Sequence, residues 1–233
     1  MTRVDKGSVV PRFQVGDKIR VKPGVTDPDF PDMPLGGWTG IVTEVIEHEG
    51  QINCVFELDE RTLASLHPIY KQRCEIDGLD FGFMGLGQED IEPDDGTLLP
   101  IEQPTVIVPR PLAMDDQEDR VRMVFGLTRD DFLPGVDAEN QHTYYRYLLS
   151  QLSLPFRAKY RPGRRRSSGR PIRLTVTGLE DVDEYEVEER YGLIGVGKEP
   201  GGPVEFPLRD IEGIEGEENR RLIEDYAYWL ANS

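Results

Sequence analysis

Short alternating runs, each cut off by glycine or proline, leave this chain little room for long elements. In "FQVGDKIRVKPG" (residues 13–24) Ile19 and Val21 alternate with Lys18, Arg20 and Lys22 before Gly24 closes the run. The turn-rich "VTDPDFPDMPLGG" follows. Then "WTGIVTEVIE" and "QINCVFELDE", joined by "HEG", read as a hairpin. "LDFGFMGLGQEDIEP" supplies one more short strand and stops at Pro93. With 24 Gly and 18 Pro in 233 residues, short strands and turns are favoured over a helical bundle.

The length suits two small domains and a connector. The expected fold class is mainly β with a few helices: tandem small SH3-like β-barrels with a connecting helix and a C-terminal helix. Residues 12–96 form the N-terminal barrel, 97–136 an acidic connector containing "VRMVFGL", and 137–233 the C-terminal domain. Asp137 is a good N-cap for a helix to about residue 152, with Tyr145, Leu148, Leu149 and Leu152 on one face. Strands return at "LPFRAKY". "PIRLTVTG" and "YEVEERYGLIGVG" make a candidate pair, and "GGPVEFPLRDIEG" adds a strand and a turn. In the closing helix Glu217 and Glu218 suit the first turn, and Leu222, Ile223, Tyr226, Trp229 and Leu230 form an apolar stripe.

The two strand-rich parts read as diverged copies. "KIRVK" aligns with "PIRLTV", "GWTGIVTEV" with "ERYGLIGVG", and "LGQEDIEP" with "FPLRDIEG"; the last pair shares Asp-Ile-Glu, at Asp90 to Glu92 and Asp210 to Glu212. Each copy has the size at which a single core is marginal. "GWTGIVTEV" also resembles the Gly-x-x-Gly-x-Val turn of SH3-like and KOW-type barrels, in which Gly37 and Gly40 would supply the tight turn. That pattern supports a fold and not an activity.

A net charge of −17 argues against nonspecific nucleic-acid binding by the whole molecule and against an anionic membrane surface. It suits a protein that binds cations or a basic protein partner. No apolar run approaches a membrane span, and the start carries no apolar signal region, so a cytoplasmic protein is expected. Cys54 and Cys74, without histidines at ligand spacing, read as reduced core thiols. His48, His67 and His142 accompany no nucleophile motif and no H-E-x-x-H. The glycines of "FGFMGLG" follow no strand-to-helix junction, so no enzyme is expected. "RPGRRRSSGR" (residues 161–170), with five arginines, is the one concentrated basic stretch. It reads as a loop that neutralises acidic neighbours, or one that grips phosphate.

The stretch "GLEDVDEYEVEER" (residues 178–190) packs seven carboxylates into thirteen residues. Such repulsion is costly unless water, a cation or a basic partner absorbs the field. If extended, Asp181, Asp183, Tyr185 and Val187 share one face and Glu184, Glu186 and Glu188 the other, with same-face acids roughly 6 to 7 Å apart. Two acids reach one ion only where the chain bends, and Gly178 makes a bend cheap. Hard carboxylate oxygens select Ca²⁺ or Mg²⁺, and Ca²⁺ tolerates irregular geometry better. The expected metal ligands are Glu180, Asp181, Asp183 and Glu184, joined by Asp210 from the second Asp-Ile-Glu turn. "DPDFPD" (Asp27, Asp29, Asp32) is equally dense but lacks the Gly and distal Glu of an EF-hand. Asp94 and Asp95 lie in connector sequence with no expected partner strand. The bland alternative is a solvated acidic strand that protects a sheet edge.

From about residue 144 to 229, "LPFRAKY", "FPLRDIE" and "DYAYWLAN" occur in an order that resembles the cyanobacterial calcium-binding protein family. The resemblance implies an acidic, non-EF-hand protein that takes Ca²⁺, as sensor or buffer. The competing reading is a cation-independent SH3-like module that recognises a basic peptide or, through the arginine loop, nucleic acid.

Overall fold

The computed structural model describes residues 10–48, 50–160, 171–182 and 192–233. The chain divides into two units, Met1–Pro109 and Arg110–Ser233. Unit 1 contains β1 (Lys18–Val21), β2 (Thr39–His48), β3 (Gln51–Leu58), α1 (Glu60–Ser65), α2 (Pro68–Ile76), β4 (Phe83–Gly87) and β5 (Ile91–Pro93). Its strands order as β4-β3-β2-β1-β5, all antiparallel. Strand β3 shows why: Ile52, Cys54, Phe56 and Leu58 alternate inward while Gln51, Asn53 and Glu57 face water. The turn-rich segment between β1 and β2 is part of the core, burying Phe30, Met33, Leu35 and Trp38.

Unit 2 contains α3 (Gln117–Val124), α4 (Ala138–Gln151), β6 (Phe156–Tyr160), β7 (Ile172–Leu179), β8 (Ile194–Glu199), β9 (Gly202–Pro207), a 3-10 turn (Leu208–Asp210), β10 (Ile211–Glu212) and α5 (Glu217–Asn232). Strand order is β10-β6-β7-β8-β9, again antiparallel throughout. Ile223, Tyr226 and Trp229 of α5 enter the core, where the Tyr144 ring of α4 stacks on Trp229 at 5.2 Å. The Tyr226 hydroxyl accepts the Leu193 N–H at 2.7 Å.

Both sheets therefore use one plan: a four-strand meander followed by a short fifth strand that pairs back onto the first. The expected duplication holds in topology, but its strand alignment needs correcting. β1 corresponds to β6, and the "PIRLTV" of β7 corresponds to β2. The second strand of each unit carries a bulge in its pairing with the third, at Val42/Glu44 and at Val176/Gly178. The residue bulged out is a threonine in both cases. Thr43 donates to the Val55 carbonyl at 3.2 Å and Thr177 to the Val196 carbonyl at 3.3 Å. The preceding Val42 and Val176 are both buried. The Asp-Ile-Glu alignment survives: Ile91 and Ile211 each lie buried in the returning strand.

Among the described residues the two sheets are open, with β4 and β5 as the edges of one and β9 and β10 as the edges of the other, so closed barrels are not seen. Of the two glycines expected to form one turn, only Gly37 does so, at φ +83°. Gly40 sits inside β2, where a Cβ would lie 2.3 Å from the Glu57 carbonyl oxygen. The expected 97–136 connector is not a bare linker either. Ile101 and Ile107 pack on the first core, while α3 inserts Val121, fully buried, into the second. In α4 the Asp137 cap is as expected, accepting the Asn140 N–H at 2.8 Å. The buried line, however, is Gln141, Tyr144 and Leu148, and Leu149 stays exposed. Among the described residues no helix is long and apolar enough to cross a membrane.

Candidate metal site

Strand β7 delivers the acidic stretch. Its last turns of ladder end at Glu180, whose N–H still donates to the Ile194 carbonyl at 2.8 Å. Glu180 is half-buried and Asp181 exposed, while Val182 turns inward and anchors the segment in the core. That alternation puts the Asp181 carboxylate on the solvent side of the chain. Asp183 and Glu184 lie outside the described residues. Asp210 sits in the 3-10 turn, half-buried, 4.0 Å from Arg209 Nε, and its charge helps burial to raise the Tyr160 hydroxyl pKa. It precedes β10, which pairs with β6 at Tyr160, whereas Glu180 follows the far end of β7. Among the described residues no group of three His, Cys, Asp or Glu side chains is gathered closely enough to hold a metal ion. Glu180 and Asp181 are side by side in the chain, and Asp210 comes from a separate element.

Other acid-rich segments turn out to have architectural work. Asp27 is buried and accepts the N–H groups of Asp29 at 2.8 Å and Phe30 at 2.9 Å, closing the loop on itself. Burial raises its carboxyl pKa above the usual range despite those bonds. Asp32 accepts from Arg73 at 2.6 Å and from the Val108 N–H at 3.0 Å. Burial pushes its carboxyl upward, but those two hydrogen bonds and the Arg73 charge outweigh it and hold the pKa below the usual range. Asp94 and Asp95, in sequence read as a connector with no partner strand, both contact the buried Arg20 guanidinium. A basic residue about 75 positions away is no local signal, so sequence reasoning had no means of finding this pair.

The cysteines behave as core residues. Cys54 and Cys74 are free and buried. Burial, with a smaller contribution from Asp17, raises the Cys54 thiol; burial pushes Cys74 up to about 11, the Asp27 charge adding to it. His67 caps α2, its Nδ1 accepting the Ile69 N–H at 3.2 Å.

Fold and charge thus define an acidic, mainly-β protein whose second, helix-braced unit carries carboxylates where strands end. The similarity to known proteins falls on that unit: residues 135–230 match the CcbP family, described as calcium binding. The matched segment is less than half of the chain and excludes α3. Two solved structures are similar. One is the crystal structure of Anabaena CcbP, at 27% identity over 41% of this chain and 77% of that one, with a TM-score of 0.34. The other is a calcium binding protein in the calcium-binding form, at 24% identity over 49% and 89%, with a TM-score of 0.38. No curated protein matches the chain.

Proposed function

We propose that the second unit binds Ca²⁺ through the acidic segment that follows β7. Glu180, Asp181, Asp183 and Glu184 act as ligands; Asp210, expected from the sequence to join them, lies on a separate element and is not gathered with Glu180 and Asp181. The observation that carries this reading is the match of residues 135–230 to a calcium-binding family. The chemistry of the donor set agrees: carboxylates alone are hard oxygen donors of the kind Ca²⁺ takes without strict geometry. A cation also answers the charge problem posed by seven acids in thirteen residues. On this account each unit is a small SH3-like β-fold, and the metal belongs to the second copy alone. Two buried thiols suit a reducing compartment, which is where we place the protein.

Calorimetric titration of the chelator-treated chain with Ca²⁺ tests the proposal. Asp181→Asn with Asp183→Asn is expected to weaken binding tenfold or more, about 1.4 kcal/mol. The comparison pair is Glu44→Gln with Glu47→Gln, two exposed acids on β2 of unit 1; it is expected to leave affinity unchanged. Equal losses from both pairs would show diffuse counterion attraction rather than a site. No heat of binding at millimolar Ca²⁺ would overturn the reading.

A further inference from the structure

None of the 40 residues at positions 140–179 is Asp or Glu, and nine are Arg or Lys, in a chain of net charge −17. The fold collects four of the basic side chains of unit 2 on one sheet face. Arg157 and Lys159 are exposed two residues apart on β6, Arg173 is exposed on β7, and Lys198 is exposed on β8. Lys159 is directly opposite Arg173. In the next row Arg157 is opposite Thr175, which is itself opposite Lys198. All four line a single open groove of about 550 Å³.

Like charges placed opposite one another in a sheet are a cost to the fold. None of the four cations forms an ion pair with a described acid. Three acids bound the patch without forming an ion pair with these four cations. Glu199 lines the groove, Glu212 faces Lys159 from β10, and the Glu215 carboxylate accepts the Arg157 backbone N–H at 3.3 Å. The repulsion is thus left in place on the open face, and the groove calls for an anion.

We propose that this face binds the phosphate backbone of double-stranded nucleic acid. Adjacent strands set cations ~4.8 Å apart and same-face neighbours ~6.7 Å apart along β6, an array suited to several phosphates rather than one. Arginine offers its planar fork to phosphate oxygens and lysine a point charge. The Tyr160 ring at the end of β6 is packed 5.7 Å from Phe206, so it is engaged within the core side of the sheet. Among the described residues the groove lining carries no aromatic side chain for stacking unpaired bases. That favours backbone contact with a duplex over capture of a single strand. The acids at the rim and the negative charge of the rest of the chain keep the contact small, weak and strongly salt-dependent. Calcium is not required, so the proposal stands apart from the metal reading.

Fluorescence anisotropy of a labelled 16-base-pair DNA duplex, with the full chain and chelator present, tests it from 20 mM salt upward. Four phosphate contacts predict a slope of log K against log salt of about −3.6 or steeper. Lys159→Gln with Arg173→Gln should flatten that slope by about 1.8, and Arg157→Gln with Lys198→Gln by the same amount. Melting of the first pair should not fall below that of the parent, because a like-charged pair is removed. If one pair of substitutions unfolds the unit, the other still decides. No binding at 20 mM salt, or a slope that neither pair alters, would overturn the proposal. So would displacement of the duplex by polyglutamate of matched charge as readily as by unlabelled duplex, which would assign the groove to an acidic polypeptide.

Discussion

Helix α3 lies outside the segment that matches the calcium-binding family, yet one ion pair binds it to α5. Arg120 Nε donates to Asp225 Oδ2 and Nη2 to Oδ1, both at 2.7 Å, and Gln117 adds a bond to Oδ1 at 3.2 Å. The two side chains are 15% and 8% exposed, so most of the desolvation cost of both charges is already met in the fold. Asp225→Ala leaves the guanidinium without its anion, and arginine cannot escape by losing its proton. Truncating one partner of a buried pair costs about 3–5 kcal/mol. The remaining solvent access of Arg120, and its bond to the Asp115 carbonyl at 3.0 Å, place the expected loss near the lower end, ~3 kcal/mol. A cycle of Asp225→Ala, Arg120→Ala and the double variant should give a coupling of about 1.5–3 kcal/mol. Trp38 and Trp229 are the only tryptophans and fall one in each unit. Urea unfolding followed by Trp229 emission in a Trp38→Phe background therefore reads the second unit. A coupling below about 0.5 kcal/mol would mean that α3 is not held to α5 by this pair.

Two further substitutions probe unit 1. Asp27 has a folded pKa raised by burial above its ordinary 3.8, so its contribution is fully present below pH 3.8 and is lost as pH rises through the folded value. Asp27→Asn keeps an acceptor for the loop N–H groups without the buried charge. It should melt higher than the parent at pH 7, with the advantage vanishing as pH falls toward 3.8, and a lower melting temperature at pH 7 would refute the argument. Gly40→Ala would put its methyl 2.3 Å from the Glu57 carbonyl oxygen, so β2 and β3 must separate locally. A loss of about 1–3 kcal/mol in urea unfolding followed by Trp38 emission is expected; an unchanged midpoint would show that the ladder yields there at no cost.

The strands of both sheets and the two long helices were legible because their signals are local. Alternation marks β3, an aspartate cap marks α4, and a stripe of Ile223, Tyr226 and Trp229 marks α5. The helices α1, α2 and α3 were missed. They are only 6 to 9 residues long, and their caps, Asp59, His67 and Asp116, are inconspicuous in a chain crowded with acids. The duplication was visible but set one strand out of step, because "KIRVK" and "PIRLTV" share composition while differing in position. The better signal was Val-Thr, at Val42-Thr43 and Val176-Thr177, whose hydroxyls close matching bulges. At the candidate site, density of carboxylates was readable and their duties were not. Asp32 and Asp94 find arginines 41 and 74 residues away, a pairing that only the tertiary fold creates.

The returning strand of each sheet bears on how the chain folds as it is made. β5 reaches back over about 70 residues to β1 (Ile19 opposite Pro93), and β10 over about 50 to β6 (Ile211 opposite Tyr160). Contacts between residues so far apart in the chain form slowly, after the closure entropy has been met. During synthesis β1 therefore waits with one edge unpaired until residue 93 emerges, and β6 waits likewise until residue 212. Lys18 and Arg20 on the first of these edges, and Arg157 and Lys159 on the second, place charge on the strands that wait longest. Charged residues on an unpaired strand discourage its pairing with a neighbouring nascent chain. Once residue 160 has emerged and before residue 212 does, the nascent chain holds a complete first unit and an exposed, basic β6 edge.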